Sequence, residues 1–199
     1  GGLKKYQWTA IPLALHGVIA LKNGETIIVK IGDNEEEPVF CVTDLLPHLS
    51  KDQNSRPLKD GIKGEELNVL VGSLPFKDDK VSQKVKLNIL NLLHEKYGIV
   101  EEDFISAELT AVPAFRASDI GFDRSLIGAY GHDDRVCGYA ALAALFALDG
   151  APARTAVCML ADKEEIGSEG VSGMKSAAFD TFMSDLCDAQ QVSLKACYE

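Results

Sequence analysis

Thr155-Ala156-Val157-Cys158-Met159-Leu160-Ala161-Asp162-Lys163-Glu164-Glu165-Ile166-Gly167-Ser168 passes from a short apolar run straight into charge. A run of that length bounded by charge has the pattern of a buried strand. Carboxylates at a strand's carboxyl end are where open α/β sheets place their chemistry. The pattern recurs upstream: Ser125-Leu126-Ile127-Gly128-Ala129-Tyr130 is a second strand-length run, followed by Asp133-Asp134 and a helix-like stretch from Val136 to Leu148. With strands at 125 to 130 and 155 to 160 and helices at 134 to 148 and 173 to 189, residues 113 to 199 alternate as a parallel sheet with crossover helices does. Two strands are too few for such a sheet to stand alone.

Residues 1 to 112 follow a different grammar. Val18, Ile19 and Leu21, then Ile27, Ile28, Val29 and Ile31, flank Asn23-Gly24, the preferred pair for a tight primed hairpin turn. Residues 44 to 66 are polar and punctuated by Pro47, Pro57, Gly61 and Gly64, as in a long loop or lobe. Leu67 to Leu74 has strand length, and Val81, Val85, Ile89, Leu92, Leu93 and Tyr97 are spaced for a helix that Gly98 stops. Phe104 to Val112 is a further strand. The expected fold class is therefore α/β, with a β-rich α+β unit inserted before an incomplete α/β portion.

The 199 residues carry 30 acidic and 20 basic side chains, a formal net charge of -10. That balance argues against a nucleic-acid surface and against anionic membranes. No apolar run approaches ~20 residues, and the amino terminus lacks signal-peptide character, so the cytoplasm is the default. Five widely spaced cysteines, with no Cys-x-x-Cys pair, fit buried reduced thiols better than disulfides or a zinc knuckle.

Each acidic pair has an ordinary explanation. Asp133-Asp134 fits a helix start, where a side chain caps free N-H groups and the dipole favours negative charge, and Asp162 to Glu165 fits a charged loop. Lys163 and Arg135 fit solvated cations. Repetition in one context is what points further. Carboxylates gathered at one edge repel and raise one another's pKa values unless a cation lies between them, and the natural counter-charge is a divalent metal. The Gly167-Ser168-Glu169-Gly170-Val171-Ser172-Gly173 loop lacks the Gly-Lys-Ser/Thr ending of a phosphate loop, so conformational need is the simpler account of its glycines.

The segments Gly128 to Cys137 and Asp162 to Ser168 resemble the two central metal-site motifs of the aspartyl aminopeptidase and aminopeptidase I family of zinc exopeptidases. Lys4 to Trp8, Ile11 to Gly17 and Ser106 to Ala114 extend the resemblance over essentially the whole chain. It implies a dinuclear zinc aminopeptidase that removes the amino-terminal residue from peptides. Asp133 would bridge two zinc ions, Glu165 would bind one of them, and Glu164 would act as the general base. Asp134 would stand just outside the ligands, joined to Asp133 by the cis peptide frequent in related enzymes. His132 is set aside as a ligand.

His16 resembles a histidine offered to the active site of a neighbouring subunit, and equally fits a satisfied hairpin histidine. The family arrangement implies that residues 1 to 112 are a dimerisation domain interrupting a zinc-peptidase α/β sandwich, in a homo-oligomer built from dimers. The chain opens Gly1-Gly2-Leu3 without Met, and the family's remaining ligands lie before Gly1 and after Glu199, so a portion of a longer protein is expected. Two other classes stay open: a non-catalytic assembly or interaction module with structural acidic pairs, and magnesium-dependent phosphoryl chemistry, for which phosphate-binding residues are wanting.

Overall fold

The structure is a computed structural model that describes residues 4–78 and 80–198. The chain ends on which the expectation of an excerpt rested, Gly1 to Leu3 and Glu199, lie outside them. In chain order the strands and α-helices are β1 (Leu13–Ala20), β2 (Thr26–Ile31), β3 (Cys41–Val42), α1 (Lys51–Ser55), β4 (Val69–Leu70), α2 (Lys84–Tyr97), β5 (Ala107–Pro113), β6 (Ser118–Ile120), β7 (Leu126–Gly128), α3 (His132–Phe146), α4 (Ala178–Ala189) and α5 (Leu194–Tyr198). Two compact units divide at Ser118/Asp119. The division falls after Val112 because β5 stays paired with β1 as far as Pro113 opposite Leu13.

The first unit is organised by an antiparallel sheet of order β2-β1-β5. Register places Leu15, Gly17 and Ile19 of β1 beside Ile31, Val29 and Ile27 of β2 on one face, and beside Ala111, Leu109 and Ala107 of β5. That face carries the core: Ile19, Val29 and Ile31 are buried with Ile99, and Leu93, Tyr97 and Phe40 pack against them. The opposite face carries His16, Val18 and Ile28, with Ile28 67% exposed.

The hairpin forms where Asn23-Gly24 stands, but not through a primed turn. Gly24 N-H donates to the Leu21 carbonyl at 2.9 Å and Leu21 N-H to the Glu25 carbonyl at 2.8 Å, while only Gly24 of the turn has positive φ, at 89°. This is a three-residue loop closed by a glycine bulge, for which one left-handed residue suffices. α2 ends at Gly98, whose φ of 69° lets its N-H reach the His94 carbonyl.

Other expectations are corrected. Leu67 to Leu74 pairs only at Val69–Leu70, against Cys41–Val42. Residues 44 to 66 contain α1 and two 3-10 turns, Leu58–Asp60 and Gly64–Glu66. Arg56 donates to the Gly61 carbonyl and to both Glu66 oxygens, so this lobe is tied internally. The Lys63 N-H, foremost, and the Arg56 guanidinium hold the Glu66 carboxyl below the usual glutamate value.

The second unit departs most from expectation. β7 pairs with β6 in a two-stranded sheet, and residues 155 to 160 form no strand. Strand pairing needs a neighbour for its N-H and C=O groups, and among the described residues this stretch has none; an isolated parallel bridge forms only beyond it, between Asp162 and Gly173. No parallel sheet forms in this unit among them. Beyond its polar first turn α3 is apolar around its circumference yet buries none of its residues, and Phe146 is 78% exposed. Of the cysteines, only Cys187 is buried; Cys158 is half-buried and Cys41, Cys137 and Cys197 are exposed, all as free thiols. Sequence spacing placed them in apolar stretches, but those stretches are uncovered here. No described helix is long and apolar enough to cross a membrane.

Candidate metal centre

Gly131, at φ 65°, turns the chain out of Tyr130 and into α3, so Asp133 and Asp134 occupy its first turn, where the helix dipole favours carboxylates. Arg135 braces that turn by donating from Nη1 to the Tyr130 carbonyl at 3.1 Å. The peptide between Asp133 and Asp134 is trans, as is every described peptide bond, against the cis bond the resemblance implied. Both residues are in helical conformation from the first turn onward, and consecutive helical side chains point about 100° apart. One carboxylate of the pair can face a given neighbour while the other turns aside.

Glu164 and Glu165 open a single 3-10 turn, Glu164–Ile166, held between Lys163 at φ 66° and Gly167 at φ 88°. Its carbonyls are used locally: Gly167 N-H donates to Glu164 and Ser168 N-H to Lys163. Asp162 anchors the turn from below. Its N-H reaches the Ser172 carbonyl, its Oδ2 accepts from Ser172 Oγ, and Lys163 Nζ lies 3.3 Å away. The Lys163 N-H, first among these donors, holds the Asp162 carboxyl below the usual aspartate value.

The glycine-rich loop explains itself conformationally. Gly167 and Gly170 have φ near 90°, and a Cβ on Gly173 would sit 2.2 Å from the Ser168 carbonyl oxygen. The loop therefore closes on itself beside the acidic turn, as its lack of a phosphate-loop ending suggested.

From these two supports three carboxylates converge. Asp134, Glu164 and Glu165 each bring one oxygen to within 4.8 Å of the other two, and all three residues are exposed. Asp133 and His132 are outside this group. The structure thus brings together Glu164 and Glu165, as the sequence suggested, with Asp134 as their companion. Helix phase is the signal that would have singled out Asp134, but it depends on where the helix begins, and a run of Gly131-His132-Asp133-Asp134 leaves that open.

As a donor set, three close carboxylate oxygens suit a divalent cation, and zinc accepts such oxygens alongside imidazole nitrogen. The group supplies the carboxylate part of such a shell and no nitrogen donor. His16 lies in the other unit, on β1, with Nε2 2.6 Å from Asp33 Oδ1 and its side chain 39% exposed.

A family model described as aminopeptidase I zinc metalloprotease (M18) matches residues 1–197. The chain belongs to this family. A probable M18 family aminopeptidase 1 of Borrelia garinii subsp. bavariensis is 52% identical over 187 residues, 94% of this chain and 41% of that protein. The M18 aminopeptidase crystal structure from Thermotoga maritima superposes with a TM-score of 0.86 at 44% identity, covering 97% of this chain and 42% of that one. Aminopeptidase I from Clostridium acetobutylicum does so with 0.81 at 46% identity. The mixed α/β fold with small sheets is thus that of M18 structures, and the chain spans less than half the length of these relatives.

Proposed function

We propose that the protein in its full length is a dinuclear zinc aminopeptidase that hydrolyses the amino-terminal residue from peptides in the cytoplasm. The observation that carries this reading is the convergence of Glu164 and Glu165 with a carboxylate from the first turn of α3, inside the two segments that resemble the family's metal motifs, in a chain matched by the family model over residues 1–197. Free thiols throughout accord with a reducing compartment.

On this chain Glu165 and Asp133 are the proposed zinc ligands, with Asp133 bridging and Asp134 beside them. Zinc, when bound, would polarise the scissile carbonyl and acidify water. Glu164 then acts as general base: its carboxylate takes a proton from the attacking water and passes it to the leaving amine. The 3-10 turn sets the two glutamate carboxylates side by side, within 4.8 Å of each other, so that one can hold metal while its neighbour reaches the water. Convergence of Asp134 rather than Asp133 on the glutamates sets a second assignment, with Asp134 as the bridge, against the first.

The chemistry is tested by assaying the full-length protein on acidic and neutral amino-terminal substrates side by side, with and without a chelator. Chelator-sensitive release of the first residue is expected. Release that survives complete zinc removal, or none at all from the metal-loaded protein, overturns the reading.

The first unit is proposed as the inserted dimerisation domain of a homo-oligomer. Its support is β2, an open sheet edge beside the exposed Val18 and Ile28, since an uncovered edge invites pairing. Deleting residues 10 to 110 from the full-length protein should lower the mass seen by light scattering; an unchanged mass counts against it. His16 is proposed to assist substrate binding across that interface. His16→Ala should then reduce kcat/KM without altering the mass, and full activity would return it to a structural partner of Asp33.

A further inference from the structure

The core of the first unit is unfinished. Between the β2-β1-β5 sheet and α2 lies a half-open cleft of about 580 Å³, floored by Ile19, Val29 and Leu109 and roofed by Ile89, Leu93 and Phe104. Its lining side chains are apolar apart from Lys86, Lys96 and the Tyr97 hydroxyl. α2 buries none of its residues, and Leu92 on the rim is 51% exposed. Protein interiors pack to the density of organic crystals and leave few voids larger than a water. A concave apolar space of this size falls within the range of small-molecule sites, about 300–1,000 Å³.

The charge around the cleft selects the occupant. α2 carries three lysines, Lys84, Lys86 and Lys96, against the one glutamate Glu95, in a chain whose net charge is -10. Lys86 pairs with Glu101. Lys96 instead lies 5.2 Å from the Tyr97 ring centroid, and no carboxylate pairs with it among the described residues. Aliphatic walls suit a flexible alkyl chain, and a lone ammonium at the rim suits an anionic head. A flat sheet edge from a second copy would not fill a concavity.

We propose that this cleft binds a free medium-chain fatty acid, its alkyl chain between the sheet and α2 and its carboxylate against Lys96. None of the residues lining this cleft belongs to the carboxylate group, and nothing in it depends on the zinc reading.

Decanoate titrated into the full-length protein by calorimetry should show saturable, one-to-one binding. Lys96→Gln should weaken decanoate by about 3- to 10-fold, the scale of one partly exposed charge-assisted contact, and leave decanol unchanged. Leu92→Trp, which adds bulk at a half-exposed rim position, should abolish binding of both, with circular dichroism confirming the fold. Non-saturable binding, unaltered affinity in Leu92→Trp, or equal losses for decanoate and decanol in Lys96→Gln would overturn the proposal. So would a fall in oligomeric mass in Leu92→Trp without decanoate binding to the parent protein, which would assign the cleft to a second copy.

Discussion

Glu164→Gln in the full-length protein should abolish peptide hydrolysis while zinc stays bound. Glutamine nearly matches glutamate in shape but cannot take up the water's proton, and removing a well-placed general base typically costs about 10²- to 10⁴-fold in rate. Glu165 and the aspartate ligand remain, so metal content by atomic absorption should be near normal. Asp133→Asn and Asp134→Asn, measured in parallel, decide between the two assignments. Whichever residue bridges should lose metal and activity together, because two cations would then face each other with less negative charge between them. If Asp134→Asn does so and Asp133→Asn does not, the convergence of Asp134 with Glu164 and Glu165 is the working geometry. Near-normal turnover in Glu164→Gln, or loss of its zinc, would sink the division of labour between the adjacent glutamates.

The choice between Asp133 and Asp134 has a physical origin. Elements specified by neighbours in sequence were legible: the β1-β2 hairpin about Asn23-Gly24, α2 with its Gly98 stop, and the acidic turn at Glu164. A turn glycine or a cap acts over a few residues, so the local sequence contains the whole cause. Residues 155 to 160 were different. Their apolar character is that of a buried strand, but a strand exists only against a partner, and Val157 and Leu160 are exposed without one. The same holds for α3, whose apolar surface, all round beyond the first turn, belongs to a helix with neighbours on every side. At the metal centre the residue types were legible and the choice between Asp133 and Asp134 was not, because one residue of shift in a helix start turns a side chain by about 100°.

A close backbone approach is likewise invisible to periodicity, and Gly17 in the central strand shows what it costs. Gly17→Ala should strongly destabilise the first unit. A Cβ there would lie 1.9 Å from the Glu108 carbonyl oxygen and 2.9 Å from the Leu109 Cα. Both obstacles are backbone, so no rotamer change relieves them, and β5 must leave β1 along the pairs that join Gly17 to Leu109 and Val18 to Glu108. Losing that ladder and the core face it supports should cost on the order of 4–5 kcal/mol, the exceptional end of single substitutions, against a typical total stability of about 5–15 kcal/mol. Gly24→Ala is the control. Gly24 has φ of 89° but nothing within 4 Å of its would-be Cβ, so it should lose only the conformational penalty, about 1–2 kcal/mol. Gly17 also has a positive φ, 157°, so in denaturant melts the close approach shows as the loss in Gly17→Ala beyond that in Gly24→Ala. If Gly17→Ala is no less stable than Gly24→Ala, the tight β1-β5 contact is not what requires glycine at position 17.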